Sequence, residues 1–391
     1  MDGIIIHCDM NNYFASVETL VNENLRDIPF AVCGDVKLRH GIILSKNELA
    51  KKYNIITGES YLDALKKCKD LKLITPNYDL YLKYTKLSRS IYYEYSDLIY
   101  PYGMDEAWID VSNCSSFFEA SVIALKIKER VKKELGLDIA VGVSYNFLYA
   151  KIASDMKSID SVKVLTRDDT EEIMQLNVEK LLFVGPRTKE KLNRLGIYKI
   201  NDLATWDKDK ARQFLGKIGN DLVDYANGND QVFQASITNQ NEIKSLGNTI
   251  TPPKDITLIR DVKEFLFILS LIISKRLKRH NLCCKNLSLS IKYFDYSKVI
   301  KQSAFDIYTN KTEDIYNMSI NLLRKLENKS IRSISLRAQK LVKNNINQIS
   351  LFENDEVKVK EIINRLEKKY GNIGLEKSVY NIEDEVKIEE L

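Results

Sequence analysis

The order of apolar segments in residues 243–341 most constrains what this chain can fold into. Alternation of apolar and polar residues, as in LSLSIKY, predicts strands at 243–251, 286–294, 299–307 and 331–341. Apolar residues at three- and four-residue steps predict helices at 259–279 and 312–328. The resulting order, strand–helix–strand–strand–helix–strand, is the split βαβ arrangement.

Strand and helix patterns also alternate in residues 1–166. The apolar stretch GIIIHC at 3–8 predicts a buried strand with Asp9 at its end, and helical spacing follows at 11–20. Further helices are predicted at 78–96, 117–135 and 146–156, with strands around 98–111 and at 138–145. A purely helical pattern follows from Leu181 to Asn227. The chain is therefore predicted to be a multidomain α+β or α/β protein.

Composition narrows the class of protein. The chain of 391 residues is too long for one simple core, and its 44% hydrophobic and 29% charged residues are ordinary for a soluble protein. The sequence shows neither an apolar run of membrane-spanning length nor a signal-peptide pattern, and its six cysteines form no C-x-x-C pair. We therefore expect a cytoplasmic protein with reduced thiols. Three scattered histidines argue against a histidine-based zinc site.

The charge is unevenly distributed. Residues 240–342 hold 19 Lys and Arg against 9 Asp and Glu, a net of +10, whereas residues 1–239 carry a net of −2 and residues 353–391 a net of −4. One basic segment of domain size is typical of a protein that binds nucleic acid. A basic surface that is merely solvated is the alternative.

Two adjacent acids begin an apolar strand in GMDEAWIDV at 103–111. If this strand lies beside the one that ends at Asp9, then Asp9, Asp105 and Glu106 converge on one point. Such like charges need a cation, and oxygen ligands suit Mg²⁺, which takes further ligands from substrate phosphates. Two such ions could activate a 3′-hydroxyl and stabilise leaving pyrophosphate. A solvated strand end is the alternative, and the sequence alone does not establish that the strands are neighbours.

Six stretches occur in the order and at the spacings of one family. They are HCDMNNYFASVE (7–18), GIILSKNELAKKY (41–53), YGMDEAWIDV (102–111), VGVSYNFLYAKIASDMKS (141–158), FVGPRTKEKLNRLGI (183–197) and KSLGNTIT (244–251). Together they resemble the Y-family translesion DNA polymerases of the DinB/UmuC type, over residues 1 to about 342.

The resemblance implies a right-hand architecture and a DNA-dependent DNA polymerase that copies past lesions with low fidelity. Its parts would be a palm (1–12 and 77–166), fingers (13–76), a helical thumb with a helix-hairpin-helix (167–235), a βαββαβ little finger (240–342) and a flexible tail (343–391). Residues 353–370 of that tail are helical at most.

The resemblance also implies roles for individual residues around the acids. Asp9, Asp105 and Glu106 would bind two Mg²⁺ ions, for which Mn²⁺ could substitute, and the Met10 carbonyl would be a further ligand. Phe14 would be the steric gate under the sugar of the incoming nucleotide, with the backbone amide of Tyr13 near its 3′ side. Phe14 as plain helix core is the alternative.

Further roles concern the nucleotide and the template. The residues implied to contact the triphosphate are Ser45, Lys51 and Lys157, and those implied to form a small roof over the templating base are Gly41 and Ile42. Two departures from the family pattern are Glu48, where many relatives carry Tyr, and Ser158, where relatives commonly have the Lys of a Lys-Pro pair. These departures put nucleotide affinity and turnover in doubt, while every metal ligand is present.

The remaining implied contacts are with DNA and with a sliding clamp. Gly185, at a predicted helix N-terminus, would approach a DNA phosphate, and Lys244 and Ser245 would also contact DNA. The residues that resemble a clamp-binding peptide lie at 348–352, namely Gln348, Ile349, Leu351 and Phe352. An ordinary helical corner and a solvated terminus are the respective alternatives. The expected partners are primer–template DNA, deoxynucleoside triphosphates and the clamp β subunit, bound by a monomer.

Two other classes of function stay open at this point. A catalytically weak accessory member of the family would bind DNA and clamp, and the altered triphosphate contacts favour it. A nucleotidyl cyclase can use a similar sheet with two metal-binding acids, but it has no use for a basic domain or a clamp peptide. Primer extension with Mg²⁺ separates these alternatives.

Overall fold

The computed structural model describes residues 3–36, 41–156, 162–238, 243–323, 329–344, 356–371 and 374–380. Lys157, Ser158 and the predicted clamp peptide at 348–352 lie outside these ranges. All six cysteines lie within them and are free, as predicted. Within the same ranges, no helix is both long enough and apolar enough to cross a bilayer.

Residues 3–165 form two sheets with their helices, which confirms the predicted alternation. The strands are β1 (Ile5–Met10), β2 (Phe30–Cys33), β3 (Ile43–Lys46), β4 (Lys72–Ile74), β5 (Ile99–Tyr102), β6 (Glu106–Asp110), β7 (Ile139–Ser144) and β8 (Lys163–Leu165). The helices are α1 (Tyr13–Val21), α2 (Glu48–Lys51), α3 (Tyr61–Lys67), α4 (Tyr78–Tyr93), α5 (Phe117–Arg130) and α6 (Phe147–Asp155). The central sheet has the order β5-β6-β1-β7-β8, and the small sheet has the order β3-β2-β4.

Strand β1 lies in the middle of the central sheet and is buried on both faces. Ile6 and Cys8, which are fully buried, belong to the core that α4 and α5 cover. Ile5 points to the opposite face and belongs to the core that includes α6. Because side chains alternate along a strand, His7 and Asp9 follow Ile5 onto the α6 face. The alternation therefore delivers a carboxylate to the end of a fully buried strand.

A helical segment follows and packs on α6. Its helices are α7 (Thr170–Met174), α8 (Pro186–Arg194), α9 (Ile200–Ala204), α10 (Lys208–Leu215), α11 (Lys217–Ala226) and α12 (Gln231–Thr238). The buried Asp230 carboxylate accepts a hydrogen bond from the Phe147 amide at 2.7 Å, and the Asn146 and Tyr149 side chains donate to Gly228 and Ala226 carbonyls. These bonds fix the N-terminus of α6 against the helical segment.

The next part of the chain has the predicted βαββαβ order. Its elements are β9 (Ser245–Ile250), α13 (Ile259–Arg279), β10 (Leu282–Tyr293), β11 (Lys298–Thr309), α14 (Thr312–Leu323) and β12 (Ile331–Lys343). The strands form an antiparallel C-terminal sheet in the order β11-β10-β12-β9. Cys283 and Cys284 lie in β10 as strand residues. The split βαβ prediction is confirmed.

The prediction of a flexible tail over 343–391 is wrong for residues 356–371 and 374–380. These residues form α15 (Glu356–Tyr370) and α16 (Leu375–Tyr380), here called the C-terminal helix pair. Apolar side chains of the pair are buried in the same core as α13, namely Val359, Ile363, Leu366, Tyr370, Leu375 and Val379. The helix pair therefore belongs to the C-terminal unit. It packs there on an apolar face of α13.

A buried carboxylate ties the helix pair to α13. Asp261, in the first turn of α13, has no exposed surface and accepts hydrogen bonds from the Arg365, Lys369 and Tyr370 side chains. Burial alone would raise the pKa of Asp261, but these donors outweigh it and lower the pKa to about 2. Asp261 is thus charged in the folded protein and takes these hydrogen bonds from α15, while Arg260 of α13 lies 3.8 Å away.

Candidate active site

The ends of β1 and β6 bring the predicted acids together. Asp9 and Glu106 are direct partners in the antiparallel ladder, and the Met10 amide donates to the Asp105 carbonyl at 3.1 Å. Directly opposite residues point to the same face of a sheet. Asp9 and Glu106 therefore share the face that α6 covers, with Asp105 at the entry to β6 beside them. The adjacency that the sequence left open is present.

The acids repel one another in a partly dry environment. Burial, reinforced by the charge of Glu106, raises the pKa of Asp9 to about 7. Burial and the same neighbour also raise the pKa of Asp105. Burial would raise the pKa of Glu106 as well, but the adjacent His7 ring and the charge of Lys151 hold it below its ordinary value. Glu106 is thus the best neutralised of the three, and Asp9 the least.

Lys151, on α6, is a residue of this site that the sequence analysis missed. Its Nζ lies 2.9 Å from Glu106 Oε2, 3.6 Å from Asp9 Oδ2 and 3.7 Å from Asp155 Oδ1. Burial would lower the pKa of Lys151, but Glu106, Asp155 and Asp9 raise it, so the ammonium stays charged. The available signal was a single cation in the apolar run FLYAKIAS, four residues before Asp155.

His7 is the second residue that the sequence analysis missed. It is fully buried, with Nδ1 2.7 Å from Ser154 Oγ and Nε2 3.3 Å from Glu106 Oε2. Burial lowers the pKa of His7, which favours the neutral ring. The ring thus lies between Ser154 of α6 and the Glu106 carboxylate. A histidine inside an apolar strand, two residues before Asp9, was the signal.

The oxygen ligands fit a hard divalent cation, although the carboxylates do not yet surround a metal position. Among the described residues, no three His, Cys, Asp or Glu side chains already surround a metal position. The Lys151 ammonium lies between Asp9 and Glu106 instead. All predicted donors are oxygens, which Mg²⁺ prefers. Burial and, after it, the charge of Glu106 raise the pKa values of Asp9 and Asp105, and an added cation would offset both effects.

The start of α1 holds the predicted sugar-contacting residues. The Phe14 ring stacks on Tyr81 with centroids 4.3 Å apart and planes 11° apart, and Tyr78 meets its edge at 6.0 Å. Tyr13 is buried, and its hydroxyl bonds to the Tyr81 carbonyl and to Thr85. Phe14 is therefore half-buried and fixed on a rigid aromatic support, five residues after Asp9.

The predicted triphosphate contacts are engaged within the protein. The Ser45 hydroxyl donates to the Asn12 carbonyl at 3.0 Å and accepts from the Ala15 amide at 3.3 Å, and Ser45 is buried. Lys51 Nζ donates to Glu48 Oε1 at 2.7 Å. The structure thus brings Ser45 and Lys51 to the turn after β1, with their polar atoms already bonded.

The other predicted residues lie on separate elements. Gly41 is packed so closely on Tyr61 that an added Cβ would lie 2.3 Å from the ring, while Ile42 is 48% exposed. Gly185 is the N-cap of α8, where an added Cβ would meet open space. Lys244 and Ser245 lie at the start of β9. These residues therefore lie on different units of the fold, and among the described residues no hydrogen bond or ion pair joins any of them to the acids.

Comparison with known proteins decides the family. The sequence profile of the impB/mucB/samB family matches residues 8–155, and that of the family's C-terminal domain matches residues 243–351. The chain belongs to this family, the DinB-type Y-family DNA polymerases. It is therefore a DNA-directed DNA polymerase that performs translesion synthesis, and DNA and deoxynucleoside triphosphates are its substrates.

Curated relatives match along nearly their whole length. A DNA polymerase IV of Acetivibrio thermocellus is 40% identical over 97% of this chain and 98% of the relative. A DNA polymerase IV of Clostridium acetobutylicum is 32% identical with the same two coverages. Among solved structures, a Y-family chimera of Dbh and Dpo4 has a TM-score of 0.75 and 20% identity, covering 87% of this chain and all of the chimera. That likeness supports the right-hand fold.

Proposed function

We propose that Asp9, Asp105 and Glu106 hold two Mg²⁺ ions, with the Met10 carbonyl as a further ligand, for transfer of a deoxynucleotide to a primer 3′-hydroxyl. Mn²⁺ would substitute. When bound, such ions polarise the hydroxyl and neutralise the leaving pyrophosphate. The observation that carries the proposal is the register pairing of Asp9 with Glu106, where burial, reinforced by the charge of Glu106, raises the pKa of Asp9. Lys151 and His7 position the carboxylates.

We further propose that each structural unit has the role that the resemblance implies. The central sheet would be the palm, the small sheet the fingers, the helical segment the thumb and the C-terminal sheet the little finger. The net charge of +10 in residues 240–342 supports DNA binding there. Gly185, Lys244 and Ser245 would contact the duplex. The peptide at 348–352 would bind the sliding clamp, and the protein would act as a cytoplasmic monomer.

The metal proposal is tested by primer extension and by thermal unfolding of the wild-type protein. Extension should occur with Mg²⁺ and stop in excess chelator, which also separates a polymerase from a weak accessory protein. At about 100 times its dissociation constant, Mg²⁺ should stabilise the native state by about 2.7 kcal/mol and raise Tm by several degrees. Primer extension in excess chelator, or a Tm that does not change when Mg²⁺ is added, would contradict the proposal.

The stabilisation by Mg²⁺ should depend on pH in a defined direction. Since the pKa of metal-free Asp9 is about 7, protons compete with the metal below that pH, and the rise in Tm should shrink. Without metal, the stability of the native state should change with pH in the opposite direction. A carboxyl whose pKa is raised on folding destabilises the native state as the pH rises from its unfolded pKa through about 7.

Phe14→Ala is expected to admit ribonucleotides. The ring is held on Tyr81, so it cannot swing away from a 2′-hydroxyl placed above it. Removing a steric penalty of about 1.4 kcal/mol or more should raise the ratio of ribonucleotide to deoxynucleotide incorporation by about tenfold or more. Single-nucleotide incorporation kinetics would measure the ratio. Tyr78→Ala is the matched control, because it removes edge contacts with Phe14 and Tyr81 but keeps the Phe14–Tyr81 stack, and it should leave the ratio unchanged.

A further inference from the structure

One carboxylate joins the turn after β1 to helix α2. Glu48 Oε1 accepts hydrogen bonds from Lys51 Nζ and from Asn12 Nδ2, each at 2.7 Å. Asn12 is held in the left-handed region at φ 50°, and its carbonyl accepts from the Ser45 hydroxyl. Two donors, one of them cationic, thus converge on a single carboxylate oxygen.

The position of the Glu48 carboxylate allows it to affect the binding of the nucleotide. Asn12 lies three residues after Asp9 and two before Phe14, so the turn joins the acids to the fixed aromatic ring. On the proposed function, a triphosphate bound through metals at the acids, with its sugar at Phe14, passes this turn. Phosphate oxygens accept the same charge-assisted hydrogen bonds as a carboxylate. Lys51 and Asn12 are therefore donors for either anion.

We propose that Glu48 competes with the incoming triphosphate for Lys51 and Asn12 and so sets the affinity for deoxynucleotides. The Glu48 side chain is 72% exposed and that of Lys51 is 31% exposed, so the pair is screened and can open. A polyanion that binds beside Glu48 meets its negative charge unless the carboxylate moves away. This inference rests on the proposed function. A simple ion pair on the helix surface would require no second donor from the turn after β1.

The test compares Glu48→Gln with the wild-type protein. Glutamine keeps the size and the acceptor oxygen and removes only the charge. We expect KM for deoxynucleotides to fall by about threefold to tenfold while kcat changes by less than about twofold. The inhibition constant of pyrophosphate should fall in proportion, because it presents the same oxygens without a sugar or base. Lys51→Met should raise KM and remove most of the effect of Glu48→Gln, since both act on one contact.

Glu59→Gln is the matched control. Glu59 pairs with Lys67 at 2.6 Å in the same unit, and its carboxylate also accepts from the Ile56 amide. Its KM and pyrophosphate inhibition should equal those of the wild type. If Glu48→Gln leaves both constants unchanged while the wild type extends primers with Mg²⁺, the role of Glu48 is refuted and the polymerase site stands. If the wild type shows no metal-dependent extension, both proposals fail.

Discussion

Asp105→Asn is expected to abolish Mg²⁺-dependent primer extension while leaving DNA binding intact. Asparagine has the shape of aspartate but lacks the charge that would hold a metal between β6 and Asp9. Loss of about 4 kcal/mol of metal-borne transition-state stabilisation corresponds to about a thousandfold loss of rate. Single-turnover extension would measure the rate, and fluorescence anisotropy with a labelled primer–template would measure binding.

The same substitution should not destabilise the protein. Burial and the charge of Glu106 raise the pKa of Asp105, so its ionised form is unfavourable in the metal-free fold. Removing that charge should leave Tm equal or higher without metal. Asp110→Asn, at the other end of β6, is the matched control and should extend primers like the wild type. Near-normal extension by Asp105→Asn would refute the metal assignment.

Deleting residues 356–391 is expected to unfold or aggregate the C-terminal unit. The deletion exposes the apolar face of α13 and removes the three donors of the buried Asp261. Each buried aliphatic side chain contributes about 1.5–3 kcal/mol. The hydrogen bonds that Asp261 loses add to this, since a hydrogen bond to a charged group contributes about 1.5–3 kcal/mol. The sum is comparable to the whole stability of a typical domain, which is about 5–15 kcal/mol.

Differential scanning calorimetry and DNA binding would report this loss. We expect the thermal transition of the C-terminal unit to disappear and salt-dependent DNA affinity to fall with it. The matched variant is Leu351→Ala with Phe352→Ala, which removes the proposed clamp anchors and keeps the helix pair. It should lose only stimulation by the clamp, with Tm and unstimulated extension unchanged. A truncated protein that melts like the wild type would contradict the assigned role of the helix pair.

The sequence predicted the helices and strands well because the spacing of apolar residues is a local property of each segment. Alternation in LSLSIKY and helical spacing in 259–279 require no knowledge of the rest of the chain, and β10 and α13 lie where they were expected. The pairing of Asp9 with Glu106 joins residues far apart in the chain, and no local pattern specifies it. The family resemblance supplied that step.

The residues that were missed share a physical cause. His7 and Lys151 are single polar groups inside apolar segments, so each looks like an exception to the pattern until the partner element is known. Residues 353–370 were expected to be helical at most, and the packing of the helix pair on α13 was missed because the net charge of 353–391 is negative, which favours a solvated tail. The complementary signal was α13, a 21-residue helix that is apolar on more than one face and therefore needs cover on more than one side.

The helix pair would limit how far the polymerase can move if the proposed peptide binds a clamp. The proposed clamp peptide at 348–352 is followed by α15, which is packed on the C-terminal unit, and preceded by β12 of the same unit. Four residues separate it from β12 and three separate it from α15, and a fully extended chain spans at most about 3.6 Å per residue. A bound clamp would therefore remain within about 15 Å of the C-terminal unit. Two such short connections would prevent the enzyme from moving aside on one clamp while a second polymerase takes the primer, so exchange would require release of the peptide.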